Sequence, residues 1–239
     1  MPKRLRILAG PNGSGKTSVY RDLRDKFFWG IFLNADEIER TLHDDGYIDL
    51  CDFGIECDAS EIEVEYRKRT AAFPSICTLD DIEIEGSRLS IVSKDKIDSY
   101  FSAFIVSYIR DRLIEKGVSF SLETVMSHNS KIAFMKEARE KGYRIYLYFV
   151  STQSPEINVG RVRTRVQEGG HDVPEDKIRS RYSRSNQNLY DAIKESDRAY
   201  VFDNSEQNYR LLAEYDATEK RLTVSSITPW FEEAVLSKL

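Results

Sequence analysis

Three cysteines in 239 residues, Cys51, Cys57 and Cys77, are too few for a disulfide framework and odd in number. A reducing compartment is the simpler expectation. No pair of them has the C-x₂₋₄-C spacing of a zinc site, so even with His43 nearby no metal cluster is expected. Long apolar runs are missing as well. The longest uncharged stretch near the middle, Ser99 to Ile109, falls far short of the ~20 residues a membrane span needs. The opening MPKRLRILAG passes from basic residues through a short apolar run straight into glycine, which is not a secretory signal. The expected location is therefore cytoplasmic, with no membrane partner. Positive charge is also lacking. A net charge of −5 argues against a protein that coats nucleic acid, which needs a broad basic surface.

What is present is 41% hydrophobic and 31% charged residues, the composition of a globular chain able to bury a core. Strand and helix signals alternate without internal repeats. Strands are expected at Leu5–Ala9, Ile31–Leu33, Val118–Leu122, Tyr143–Val150 and Arg198–Asp203. Helices are expected from Lys16 to about Phe28, around Phe101–Ile109 up to Gly117, from Ser130 to Lys141, and after a Ser154 cap and Pro155. A hairpin over Leu211–Tyr215 and Arg221–Val224 follows. This order predicts an α/β fold, a mostly parallel five-stranded sheet with helices on both faces. Ligands sit beyond the carboxyl ends of such strands, so Gly10, Asp36 and Glu123 are expected to converge on one crevice.

Residues 43–99 stand apart, with 15 acidic and 6 basic residues, a net of −9 that leaves +4 for the remainder. "DIEIEGSRLSIVS" alternates around Gly86 as a hairpin does. The segment reads as an acidic insertion in a single domain spanning 1–239.

The strongest motif is Gly10, Pro11, Asn12, Gly13, Ser14, Gly15, Lys16 and Thr17, followed by Ser18, which fits G-x-x-x-x-G-K-[ST] at every fixed position. Glycines let backbone N–H groups approach phosphate oxygens, and the following helix contributes its positive end. Lys16 then reaches the β- and γ-phosphates, and the Thr17 hydroxyl ligates Mg²⁺. No N-K-x-D guanine signature occurs, so ATP with Mg²⁺ is the expected cofactor pair.

Phosphoryl transfer to a hydroxyl requires one carboxylate to accept the proton. Asp36, just past the second strand with Asn34 before it, is placed for that role; the alternative is a helix N-cap. Glu123 and Thr124, with His128 close behind, end the third strand. There they can hold substrate hydroxyls or simply close a surface strand.

Arg161, Arg163, Arg165, Arg179, Arg181 and Arg184 crowd two expected helices joined by Gly169-Gly170. A lid over triphosphate needs such cations, delivered on closure. The alternative is two solvated faces paired with local acids such as Glu168, Asp172 and Asp176. The lid segment is taken as 155–186.

"AGPNGSGKTS", "LNADEI", "SLETVMSH", "KGYRIYLYFV", "RVRTRVQEGGHDVPEDKIRSRYSRSNQNL" and "VFDNS" together resemble the zeta toxin family of P-loop small-molecule kinases, in particular its chromosomal members. The resemblance covers most of the chain outside about 43–95 and the C-terminal tail. It implies a P-loop kinase fold and phosphorylation of a sugar hydroxyl, for the toxins the 3′-hydroxyl of a UDP-N-acetylated amino sugar. It also implies Asp36 as base, Lys16 and Arg165 on the phosphates, Glu123 at the substrate, and an antitoxin as protein partner. A second lid cation expected shortly before Pro174 falls at His171, and Val125 to His128 replace the small and basic residues of the toxins. An ATP-gated binding module, or a kinase of nucleosides or nucleic-acid ends, are the alternatives.

Overall fold

The computed structural model describes residues 2–56, 59–70, 75–170 and 172–239. Cys57 and His171 lie outside the described residues. The first part of the chain forms β1 (Lys3–Ala9), α1 (Lys16–Leu23), β2 (Ile31–Leu33), α2 (Ala35–Asp45), β3 (Tyr47–Asp49) and α3 (Ala59–Thr70). β4 (Ile82–Glu85), β5 (Arg88–Ile91), α4 (Ser99–Lys116), β6 (Phe120–Thr124), α5 (Ser130–Glu140) and β7 (Tyr143–Ser151) follow. The rest is α6 (Pro155–Gln167), α7 (Glu175–Lys194), β8 (Arg198–Asp203), β9 (Arg210–Asp216), β10 (Arg221–Val224) and α8 (Pro229–Ala234). Among the described residues no helix is long and apolar enough to cross a membrane.

The chain divides into two compact units, residues 1–30 with 119–239, and residues 31–118. In the first unit the strand order is β10-β9-β8-β7-β1-β6. β1 lies in parallel between β6 and β7, with Leu5 opposite both Phe120 and Ile145. β7 pairs in parallel with β8. Leu5, Leu8, Leu147 and Val201 are fully buried, as expected for strands covered on both faces. The mostly parallel sheet expected from the sequence is therefore present. The hairpin of β9 and β10 extends it in antiparallel fashion through β8.

Two expected boundaries shift, for legible reasons. Gly117 takes φ 67° at the end of α4, and the Val118 N–H turns back to the Leu113 carbonyl at 3.0 Å. That donor closes the helix, so β6 begins at Phe120 and carries Glu123 and Thr124 inside its last turn of pleat. α1 ends at Leu23 rather than near Phe28. Phe27, Phe28 and Trp29 instead gather around Arg6 of β1, whose Nε donates to the Phe28 carbonyl at 3.0 Å and whose guanidinium lies 5.3 Å from the Phe27 ring and 5.8 Å from that of Trp29. A buried cation satisfied by a carbonyl and aromatic faces outweighs another helical turn.

In the second unit α2 packs on α4. β3, β5 and β4 form a small antiparallel sheet. The hairpin expected around Gly86 forms with Glu85 opposite Arg88 and Ile84 opposite Leu89. Residues 43–99 fall within this unit.

Candidate active site

Parallel pairing puts the carboxyl ends of β6, β1, β7 and β8 on one edge, since Ala9 is level with both Thr124 and Phe149, and Ser151 with Asp203. The loop from Gly10 to Gly15 leaves the middle of that edge. The Gly10 N–H donates to the Thr124 carbonyl at 3.2 Å. Its φ of 143° belongs to the region reserved for glycine, and a Cβ there would stand 1.9 Å from the Val150 carbonyl oxygen. Gly10→Ala therefore has to displace the backbone of β7. We expect it to lower stability by about 3 kcal/mol or more, read as a drop in thermal midpoint.

Two asparagines fasten this loop from outside. Asn158 of α6 is fully buried; its Nδ2 donates to the Asn12 carbonyl at 2.6 Å, and its Oδ1 accepts from the Thr152 hydroxyl. Asn204, just after β8, donates from Nδ2 to the Ser14 carbonyl at 2.8 Å. The Asn204 loop is fixed in turn by Asp203, which accepts from the Ser205 hydroxyl at 2.9 Å and from Trp230 Nε1 of α8 at 2.7 Å. Each asparagine spends a donor on a loop carbonyl, which helps leave loop N–H groups free to face inward.

Lys16 opens α1, with Gly15 as its N-cap in the left-handed region at φ 85°. The lysine is 8% exposed. Its Nζ donates to the carbonyls of Gly10 at 2.9 Å and Pro11 at 3.2 Å and lies 3.6 Å from Glu123 Oε1. Thr17 and Ser18 are exposed in the first helical turn. Two polar atoms at the loop are buried with no hydrogen-bond partner, Ser14 Oγ and Arg161 Nη1. Arg161 Nη1 lies 3.8 Å from where a Cβ on Gly15 would stand. Orphaned buried donors are costly, and these two match an anion held by the loop.

The six arginines separate into distinct jobs. Arg161 faces the loop, and Arg181 Nη1 donates to Asn12 Oδ1 at 3.2 Å. Arg163 pairs with Glu175 at 2.6 Å, and Arg179 bridges Glu156 at 2.6 Å and Glu175 at 2.8 Å. Hydrogen bonds from Arg179 hold the Glu156 carboxyl down at about 2 and also lower that of Glu175. The expectation of helix faces paired with local acids thus describes Arg163 and Arg179, though through Glu156 and Glu175 rather than Glu168, Asp172 or Asp176. Arg165 lies at the end of α6, its carbonyl accepting from the Gly170 N–H at 2.9 Å and its Cγ 2.6 Å from where a Gly170 Cβ would stand. Arg184 donates to Ser180 within its own helix at 3.3 Å. Val159, Val162, Val173 and Ile178 form the apolar seam between α6 and α7.

Of the remaining site residues, His128 serves the start of α5, its Nδ1 accepting from the Ser130 N–H at 3.2 Å. Asn34 and Asp36 belong to the second unit. The N-cap of α2 is Asn34, whose Oδ1 accepts from the Asp36 N–H at 2.9 Å. The capping alternative for Asp36 is thereby corrected: the asparagine two residues earlier takes the cap because its extended backbone suits that position, and the exposed Asp36 carboxylate is not used as the cap. Ser154 does occupy the N-cap position of α6, but its side chain makes no capping bond.

A glycine loop between a central parallel strand and a helix, closed by a buried lysine, defines the P-loop class of α/β nucleotide-binding folds. A sequence model of the zeta toxin family matches residues 94–214, and the chain belongs to that family. The match takes in Glu123 and the arginine-rich helices; the glycine loop lies outside it. An uncharacterized protein of Haemophilus influenzae is 38% identical over 69 residues, 29% of this chain and 49% of that protein. The chain thus spans about half the length of this curated relative. Among solved structures, the AvrRxo1-ORF1:-ORF2 complex with ATP shares the fold at TM-score 0.59 and 16% identity, over 94% of this chain and 61% of that one. The PezAT chromosomal toxin–antitoxin system of Streptococcus pneumoniae does so at TM-score 0.51 and 14% identity, over 99% and 80%.

Proposed function

We propose that the protein is an ATP-dependent phosphotransferase that moves the γ-phosphate of MgATP to a hydroxyl of a small molecule, with a UDP-linked amino sugar as the acceptor class. The observation that carries this reading is the pair of buried, unpartnered polar atoms, Ser14 Oγ and Arg161 Nη1, beside the loop where Lys16 meets Glu123.

Loop N–H groups cradle the phosphates, and Lys16 exchanges its carbonyl partners for phosphate oxygens, which are stronger acceptors because they are charged. The exposed Thr17 hydroxyl at the start of α1 suits a hard cation. Thr17 would hold Mg²⁺ there, and the ion would supply neutralising charge for the phosphates. Arg161 and Arg165 add cationic charge from the lid. Asp36 is the proposed base for the acceptor hydroxyl, and Glu123 and Thr124 are the proposed acceptor-binding groups. An antitoxin-type protein partner accompanies this reading through the family alone.

The test is transfer of γ-phosphate from labelled ATP to a panel of nucleotide sugars, nucleosides and a metabolite extract, with Lys16→Met as the blank. A labelled nucleotide sugar absent from the blank supports the proposal. Bound ATP with no acceptor-stimulated product would instead favour an ATP-gated binding module.

A further inference from the structure

Beyond Glu123 and Thr124 the backbone adopts a form that L-residues avoid. Met126 has φ 57° and is 1% exposed. A left-handed, non-glycine residue in a buried setting persists only where its surroundings over-determine it, and such residues concentrate at functional sites. Three hydrogen bonds do so here. The Met126 N–H donates to Thr124 Oγ1 at 3.2 Å. Ser185 Oγ donates to the Val125 carbonyl at 2.7 Å, and Asn188 Nδ2 donates to the Met126 carbonyl at 3.0 Å.

Both clamps come from α7, which is itself secured to the end of β7. The Tyr182 hydroxyl donates to the Thr152 carbonyl at 2.7 Å, and Asn186 Oδ1 accepts from the Ser151 hydroxyl at 2.9 Å. Arg181, Ser185 and Asn188 stand at i, i+4 and i+7 and so share one helix face. Along that face a single rigid element touches Asn12 of the phosphate loop and the two carbonyls that follow the strand-end carboxylate. This part of α7 is bolted to the sheet.

We infer that Ser185 and Asn188 are positioning residues for the acceptor side of the site: they hold the Val125 and Met126 peptide groups, and through them Glu123 and Thr124. The consequence for rate rests on the phosphotransferase reading; the consequence for loop geometry does not. Neither residue touches the reacting atoms. They act by fixing the peptide that carries Glu123.

The experiment has two arms, run on Ser185→Ala, Asn188→Ala, the conservative Ser185→Thr, and Ser185→Ala combined with Met126→Gly. The chain contains three methionines, so a ¹³C-methyl-methionine spectrum resolves Met126, assigned by its loss in Met126→Gly. Ser185→Ala and Asn188→Ala are expected to shift or broaden the Met126 signal and leave that of Met135 on α5 in place. In the second arm, with ATP and UDP-N-acetylglucosamine, the KM for the sugar is expected to rise about tenfold while that for ATP stays within about twofold. Ser185→Thr keeps the hydroxyl and retains most activity. Met126→Gly is expected to recover part of the loss, because glycine takes positive φ without strain. A Met126 signal unmoved in both alanine variants overturns the inference, as does equal worsening of both KM values. If the wild-type protein turns over no nucleotide sugar, that acceptor assignment fails separately, and the spectrum alone decides: a shifted Met126 supports the clamp and an unmoved one sinks it.

Discussion

Replacing Lys16 with methionine is expected to lower phosphoryl transfer by about a thousandfold while the protein stays folded. The ammonium has three donors, directed to Gly10 O at 2.9 Å, Pro11 O at 3.2 Å and toward Glu123 at 3.6 Å. Two of these partners are neutral carbonyls, which a triphosphate oxygen outcompetes. No other lysine or arginine opens α1, so the charge at that point of the loop is lost outright. Methionine keeps the length and apolar stem of lysine, and the loop stays fastened by Asn158 and Asn204. Glu123 loses an ion-pair partner but keeps 16% of its side chain exposed, so water can solvate it. A stability loss of about 1–2 kcal/mol follows, visible as a modest drop in thermal midpoint. Transfer within tenfold of wild type would show that Lys16 does not engage the moving phosphate.

Asp36→Asn is expected to reduce turnover by about 10²–10⁴-fold, the usual worth of a positioned general base, and to leave ATP affinity unchanged. The substitution is close to isosteric, and the Asp36 N–H keeps its bond to Asn34, so the start of α2 survives. What disappears is a proton acceptor and a negative charge in the first turn of the helix, the latter worth about 0.3–1 kcal/mol of helix stability. Titration with a fluorescent ATP analogue separates binding from turnover. Normal turnover would transfer the base role to another carboxylate, and Glu123 beside Lys16 would be the next to replace. Asn34→Ala offers a contrast: it removes the cap at a cost of about 1 kcal/mol and loosens the turn that holds Asp36.

The elements themselves were largely legible in the residues. Leu5–Ala9 reads as a strand because it is a short apolar run ending at a glycine, and β7 because Tyr143–Val150 is the richest apolar run of the chain. The hairpin around Gly86 and the long helix through Phe101 to Ile109 follow from periods of two and of 3.6 residues. Misplaced ends came from backbone groups used elsewhere: the Val118 N–H closes α4 instead of entering a ladder, and the Phe28 carbonyl accepts from Arg6 instead of extending α1. The site was legible where a motif is local. Gly10 to Thr17 is contiguous, and the arginine-rich helices stand out by composition. Asn158 left only a faint trace, a polar residue one turn before Val162 on the apolar stripe of α6. Ser185 and Asn188 left none, since serine and asparagine on a helix ordinarily face water.

The sequence by itself therefore determined the strand–loop–helix that can hold phosphate, the alternation that yields a mostly parallel sheet, and the presence of an arginine-rich pair of helices. Each of these is decided by residues close together, through backbone permissiveness, apolar period and charge density. Only the tertiary structure decided which arginines face the loop and which pair with Glu156 and Glu175, that Asn34 rather than Asp36 caps α2, and that α7 grips the Met126 turn. Most of those choices depend on groups brought together from far apart, such as Asn204 on Ser14 across 190 residues and Asn158 on Asn12 across 146. A hydrogen bond of that kind has no local signature, because its direction is set by the packing of the sheet and not by the neighbours of either residue.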